Sequence, residues 1–505
     1  MEMRVSASSA AGPAQGAGLA QGFGSRFWSS VLRPVDAAWL VALRVAYGLI
    51  LSVSLARFIA YGWIERLFVE PSFHFKYWGF DWLGVLPPTL LHALFWGLAG
   101  LGLLVACGVW FRWSAVLLWL GFTYVQLIDV ANYLNHYYLA SLLGLLLALS
   151  PAGLSLAALS PAEGRERTVP AGWLYLMRFQ VGVVYVYAGL AKLHADWLLE
   201  GQPLGIWLSS RLDFPVLGAL FHSAYAPLLL SWAGFLFDTT IVLWLSWRRS
   251  RPYAYALLLV FHALTSVLFP IGMFPVIMSA AALVFFAPDW PRRLLARVAA
   301  LLGALRQLVS GRGVVRWPSA WRGALVSAAA AARTDREPPR TPSARARWFT
   351  ALALGYCAAQ AVVPLRFALY GDNVRWHEQG MRFSWRVMVR EKNGSVTFRV
   401  SSLPSGRVFE VSPRRYLTPL QEREMAGQPD LIAQLARHIR ADFERQGLGP
   451  VEVRVDAWVS LNGRRARRLI DPEVDLARVG SGLAPAAWIL PAPEERAPAL
   501  SRGHG

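Results

Sequence analysis

Apolar residues fill the chain in blocks separated by short polar stretches, at 37–60, 87–109, 113–131, 138–158, 172–190, 227–247, 253–269, 271–287 and 348–366. Several of these blocks approach the roughly 20 residues a helix needs to cross the hydrocarbon of a bilayer. The pattern predicts about nine spans. The seventh and eighth are short and separated by Phe269-Pro270-Ile271-Gly272, which suits a re-entrant segment. Beyond the last block the period changes. Residues 383–411 alternate apolar and polar, with Asn393-Gly394 as a hairpin turn. Pro429 to Gln446 has helical periodicity, and VEVRVDAWVSLNG at 451–463 reads as a further strand pair. The expected fold is mostly α: a polytopic helical membrane protein with a small C-terminal α+β domain outside the membrane.

The same pattern divides the chain into a flexible Ala/Gly/Ser-rich tail (1–32), a membrane catalytic domain (33–287), a basic loop (288–347), a last span (348–369), the α+β domain (370–480) and a second tail (481–505). The first tail lacks the apolar core of a signal peptide.

Composition agrees with a bilayer protein: 55% of the 505 residues are hydrophobic and 16% charged. The net charge of +19 invites a nucleic-acid reading, but 23 Trp and the long apolar runs argue against it. Arginines in the first tail (Arg4, Arg26, Arg33) and in the second, fourth, sixth and eighth loops fall on one side of a nine-span topology. The positive-inside rule makes that side cytoplasmic and the α+β domain extracytoplasmic. The loop 288–347 alone carries 12 Arg against Asp289, Asp335 and Glu337, a net +9. It reads either as a topology anchor and disordered linker or as a contact for anionic lipid or nucleic acid. Cys107 and Cys357, the two cysteines, exclude a disulfide scaffold and a Cys-rich metal site.

Ionisable groups at bilayer depth carry the chemical information, because each costs free energy to hold there. They are Asn135 and His136 in NYLNHYYLASLLG, Lys192, His194 and Asp196 in AGLAKLHADW, Asp238, and His262 in LLLVFHALTSVLF. On the nine-span topology they converge towards the outer face. Lys192 is one of three lysines among 50 basic residues, and unlike arginine it can give up its proton. It suits an amine base, or a snorkelling lysine paired with Asp196. His136 beside Asn135 suits contact with a polar ligand or capping of the next helix. His262 reads as a ligand or as a structural histidine, and Asp238 as a bond to a neighbouring helix. No metal-ligand, nucleophile-elbow or phosphate-loop motif occurs in a fitting context.

In motif order, RPVDAAWLVALRVAYG, NHYYLASLLG, VYVYAGLAKLHADWL, FHALTSVLFPIGMF, FAPDWPRRLL, FSWRVMVR and DAWVSLNGRRARRLIDPEVD resemble the vitamin K-dependent gamma-carboxylase family, whose membrane part is the horizontally transferred transmembrane domain. The resemblance runs from about Arg33 to Asp475. It implies an enzyme in which a lysine deprotonates vitamin K hydroquinone (or menaquinol), O2 converts the anion to an epoxide-side alkoxide, and that base removes the γ-proton of a peptidyl glutamate. CO2 then adds to give γ-carboxyglutamate.

By motif position the lysine is Lys192, with His136 as its catalytic companion. Asn135, His136 and His262 become cofactor-binding residues, and Asp196 and Trp197 substrate-binding ones, with no metal. The implied partners are the lipid bilayer and a glutamate-containing peptide, leaving oligomeric state unspecified. Two departures stand out: the family's doubled lysine is Ala191-Lys192 here, and the first Asp of L-D-A-D-W is His194. The match also stops without the long luminal portion of animal carboxylases, which weighs against processive carboxylation of a clotting-type substrate. Heavy Ala and Arg use with three Lys suits a GC-rich bacterial genome, hence a bacterial inner membrane. An epoxidase that does not carboxylate, and a non-enzymatic binding or transport protein of the same fold, are the alternatives.

Overall fold

The computed structural model describes residues 24–159, 168–215, 218–309, 342–371 and 373–498. The main helices are α1 (Ala38–Ala60), α2 (Pro88–Cys107), α3 (Phe111–Leu127), α4 (Asn135–Leu149) and α5 (Ala171–Leu190). They continue with the short α6 (Ala195–Leu198) and α7 (Leu204–Ser209), then α8 (Ala226–Ser246), α9 (Arg251–Leu268), α10 (Phe274–Ala281), α11 (Trp290–Val309) and α12 (Ala344–Val362).

Every apolar block of the sequence is helical, but fewer than nine helices suit a crossing. Among the described residues five are long and apolar enough: α1, α2, α8, α9 and the stretch Ala344–Tyr370. A sixth results if Phe274–Phe285 and Trp290–Leu305, a broken pair, count as one. The shortfall has a physical cause. At about 1.5 Å per residue, the 17 residues of α3 and the 15 of α4 fall short of the ~30 Å hydrocarbon. Helix α4 stops at Ser150-Pro151, well before the end of its apolar block. Helix α5 is 20 residues long but contains Arg178 and Gln180.

Two compact units organise the chain, and each is described by itself. One comprises Met1–Ala42, Leu154–Phe179 and Ala287–Cys357. Within it β1 (Pro34–Asp36) pairs antiparallel with β2 (Thr168–Pro170), and the Trp39 amide donates to Pro288 O at 3.1 Å. Arg292 donates to Ala158 O at 2.9 Å and approaches Asp36 at 3.5 Å. Of the expected basic loop 288–347, most of the first third is therefore the helix α11, and residues 310–341 lie outside the described residues. The first tail is likewise helical over 24–32, residues 1–23 lying outside the described residues.

The other unit comprises Leu43–Gly153, Gln180–Phe286 and Ala358–Gly505. Arg44, fully buried, ties its helices together by donating to Ala152 O at 2.6 Å and to Ala106 O, in the last turn of α2, at 3.3 Å. A cation at a helix C-terminus meets the negative end of the helix dipole. Gly108 ends α2 at φ 78°, and a Cβ there would lie 2.7 Å from the Arg44 guanidinium.

The α+β domain belongs to this unit. Its sheet has the order β4-β3-β5-β6, all antiparallel, with β3 Lys392–Ser402, β4 Val408–Val411, β5 Val451–Leu461 and β6 Arg467–Arg468. Alternate residues of β5 (Val451, Val453, Val455, Ala457, Val459, Leu461) are buried, the period-two pattern of a half-covered sheet. Helices α13 (Pro419–Ala426) and α14 (Pro429–Arg445) cover that face, α14 burying Leu431, Leu435, Ile439 and Phe443. The same core takes in Phe75, Val130 and Ala131 from loops between helices, so the domain packs on the helical part of its unit.

Three expectations are corrected here. Asn393-Gly394 is not a turn: both residues lie inside β3, opposite Ser460 and Val459. A Cβ on Gly394 would sit 2.8 Å from Ala426 O, so the glycine marks the close approach of α13 rather than a reversal. The alternation at 383–391 is not a strand, since Phe383, Trp385 and Met388 have φ of 59°, 56° and 53°. Residues 451–461 form one long strand rather than a pair. Much of the expected second tail also packs: Ile489 bridges to Ile470, and the Trp376 indole donates to Leu490 O at 2.8 Å.

Candidate functional site

Lys192 follows the last turn of α5, where small residues let a neighbouring helix approach. A Cβ on Gly189 would meet Thr239 Cγ2 of α8 at 2.5 Å and the Asp238 carbonyl carbon at 3.2 Å. That contact brings Lys192 Nζ to 2.7 Å from Asp238 Oδ2, and Nζ also donates to Ala188 O at 3.1 Å. Both side chains are buried, 7% and 8% exposed. Nζ lies 5.2 Å from the centroid of the Trp197 ring. The sequence-based alternative pairing of Lys192 with Asp196 does not occur; Asp238, expected as a bond to a neighbouring helix, is the partner.

Lys192 and Asp238 line a cavity of about 950 Å³ with largely apolar walls. Asn135, His136, Trp197 and His262 line it too, so all the sequence-identified candidates except His194 and Asp196 share one space; His194 instead caps α6, its Nδ1 accepting from the Trp197 amide at 3.3 Å. His262 is held by Tyr185, whose hydroxyl lies 2.8 Å from Nε2, while the buried Nδ1 of His262 has no hydrogen-bond partner among the described residues. His136 is the second residue of α4, not its cap, which is Leu134. Its ring meets Tyr137 at 4.4 Å and Phe274 at 6.4 Å and makes no hydrogen bond to another described residue. Gly272, at φ 60°, leaves room beside it: a Cβ there would lie 3.4 Å from His136 Nε2. Asn135 Oδ1 accepts from the Tyr133 hydroxyl at 3.1 Å.

Asp196 has a different position. Arg464 grips it with two bonds, Nη2 to Oδ1 at 2.7 Å and Nη1 to Oδ2 at 2.9 Å. Asn462 adds a third at 2.8 Å, and Arg375 approaches to 3.7 Å. Burial alone would raise the Asp196 carboxyl, but the Arg464 bonds and the Arg375 charge outweigh it and hold the group at about 2. Trp197, next in sequence, does reach the cavity, with its indole fixed by Ser231 O at 2.7 Å.

Two further cavity residues carry no signal in the sequence. Tyr185 lay inside an apolar run, where nothing distinguishes a hydroxyl that will meet a histidine. Arg57, in the last turn of α1, is half-buried in the cavity wall between Tyr61 and Trp63, at 5.7 and 5.8 Å from their ring centroids. The arrangement offers an amine–carboxylate pair, two imidazoles and an amide inside a mostly apolar chamber. That donor set can bind a lipophilic ligand by its body and a polar head group by hydrogen bonds. No group of three or more His, Cys, Asp or Glu suited to a metal occurs among the described residues.

Comparison with protein families gives two matches in chain order. Residues 32–290 match the HTTM domain, and residues 345–495 match the lumenal domain of vitamin K-dependent gamma-carboxylase. No solved structure matches the chain.

Proposed function

The chain belongs to the vitamin K-dependent gamma-carboxylase family, and on that premise we propose that it is a peptidyl-glutamate 4-carboxylase using vitamin K hydroquinone or menaquinol, O2 and CO2. The observation that carries the reading is Lys192: a buried amine 2.7 Å from a carboxylate, in the wall of a mostly apolar cavity it shares with two histidines. The cavity fits such a quinol in both size and character, and the unpartnered Nδ1 of His262 is a polar atom that a bound head group would satisfy. When bound, the quinol supplies, by its oxygenation, the strong base that removes the glutamate γ-proton.

The protein's own part is to start and shelter that chemistry. Lys192 Nζ passes its proton to Asp238 Oδ2 across 2.7 Å and so presents a neutral amine to the quinol hydroxyl. Tyr185 fixes the His262 ring, and Asn135 and His136 offer hydrogen bonds to the quinol oxygens from the N-terminal turn of α4. Trp197 closes the wall beside the amine, and the apolar lining keeps water from quenching the base. Arg57, cationic and flanked by aromatic faces, receives the carboxylate of the glutamyl peptide. Asp196 acts as a positioning residue, holding α6 against Arg464. The chain sits in a bacterial inner membrane with residues 370–480 extracytoplasmic, the side from which the peptide arrives; the lumenal-domain match supports that orientation.

Membranes supplied with reduced vitamin K, a glutamyl peptide and labelled CO2 test the reading. Epoxide together with labelled peptide is the expected result. Epoxide alone would make the protein an epoxidase, and neither product would leave a binding or transport protein. Lys192→Ala should abolish both products, and unchanged activity would remove Lys192 from the role of base. Arg57→Gln should raise KM for the peptide and leave peptide-independent epoxide formation unchanged.

A further inference from the structure

Helix α11 has two unlike sides. One is anchored: Pro291 is buried, and Arg292 bonds to Ala158 O and pairs with Asp36. The other carries Leu294, Leu295, Val298, Leu301, Leu302 and Leu305, all 43–62% exposed. At about 100° per residue these six fall within an arc of roughly 120°. Arg293 and Arg297 stand at one edge of that arc, both exposed, and the helix contains no acidic residue. Arg293 meets Asp289 at 2.7 Å, an exposed i,i+4 pair of the kind that contributes little and exchanges readily.

A continuous apolar stripe with no protein cover among the described residues needs another solvent. Membrane crossing is a poor answer, because Arg292, Arg293, Arg297 and Arg306 would all have to be held along the path. An apolar arc bordered by arginines, in a helix that itself contains no acidic residue, is instead the composition of a helix lying in the plane of a bilayer surface. We propose that α11 is an in-plane membrane anchor, its leucine stripe immersed at the boundary of headgroups and acyl chains and Arg293 and Arg297 on the phosphates of anionic phospholipid. The assignment stands independently of the carboxylase reading.

The full-length protein tests it, with Cys107 and Cys357 replaced by Ser and single spin labels introduced by Leu294→Cys, Arg297→Cys, Leu301→Cys and Leu305→Cys. The protein is reconstituted in discs of phosphatidylcholine, alone or equimolar with phosphatidylglycerol. Collisions with dissolved O2 should be high at 294, 301 and 305, at one common depth, and low at 297. Depth changing steadily from 294 to 305 would overturn the proposal in favour of a span. Exposure of the stripe to a water-soluble nickel chelate, or spin–spin coupling to a second copy, would also overturn it. In the native-cysteine protein, Arg293→Gln/Arg297→Gln should lower association of spin-labelled phosphatidylglycerol about threefold or more and leave phosphatidylcholine unaffected. An undiminished preference for phosphatidylglycerol would remove the arginines from that role.

Discussion

Lys192 and Asp196 stand four residues apart in one motif, and each ends in an ion pair that is almost fully buried. Burial therefore does not distinguish the two pairs; geometry does. Arg464 saturates Asp196 with a two-pronged grip, Asn462 takes a further lone pair, and Asp196 does not line the cavity that holds Lys192. Lys192 makes a single contact with one oxygen of Asp238, and the other oxygen has no hydrogen-bond partner among the described residues. A guanidinium cannot release its proton, whereas an ammonium beside a carboxylate can. On the proposed mechanism one pair fixes structure, and the other keeps a movable proton at the wall of a chamber.

Lys192→Arg tests that contrast most severely. It keeps the charge next to Asp238 and removes the amine that can become neutral. Epoxide formation should fall by about 10³-fold or more while the protein stays folded in detergent. An active Lys192→Arg enzyme would mean that only the positive charge matters. Asp238→Asn should come next, with kcat down by about 10²-fold, KM for the quinol nearly unchanged and partial recovery at higher pH, where bulk base takes over the proton. A proportional loss in kcat with no recovery at any pH would reduce Asp238 to a packing partner.

Asp196→Asn should reverse the ranking. Removing one member of a buried pair leaves Arg464 uncompensated and costs about 3–5 kcal/mol of stability. Thermal unfolding in detergent should register that loss, while kcat per folded molecule stays within about threefold of the parent. A kcat loss as large as that of Lys192→Arg in a well-folded Asp196→Asn protein would place Asp196 among the reacting groups rather than the positioning ones.

How far the sequence foretells this contrast depends on the kind of information involved. The helical blocks and the sheet-forming alternation from residue 392 onwards are local, and the structure has them near the expected positions. Partnerships across the chain are not local. Lys192 was singled out because lysine is rare here, yet Lys76 and Lys392 also occupy sites where a compact ammonium binds backbone carbonyls, Leu83 O and Ile128 O for one and Trp376 O for the other. Rarity thus marks carbonyl-binding ammonium groups as much as a base. What separates Lys192 is the cavity, formed when Gly189 lets α8 in, and neither AGLAK nor DTT states which helix will arrive. The nine expected spans find five or six candidate helices among the described residues for a related reason: block length counts apolar residues, and helix length also depends on where a Ser-Pro stops the turn.

The smallest effect sharpens the comparison from a third buried carboxylate. Asp129, in the loop after α3, is as buried as Asp196, but its side-chain hydrogen bonds come from neutral groups, the Ala131 amide at 2.8 Å and the Gln421 side chain at 2.7 Å, and the charge of Lys76 adds only the smallest pull. Burial dominates over these hydrogen bonds and pushes the carboxyl up to about 6, the opposite of the arginine-gripped Asp196. A carboxyl raised on folding binds more protons in the folded state, so its contribution to stability declines as pH rises through the window from about 4 to 6. Asp129→Asn keeps the shape and removes the titration, so the unfolding temperature of the variant should fall less steeply across that window than the parent's. The difference should vanish below about pH 4, where Asp129 is protonated in both states. Parallel curves for variant and parent across the whole window would show that the neutral donors already hold Asp129 ionised. Cationic partners would then not be what separates the low carboxylate from the high one.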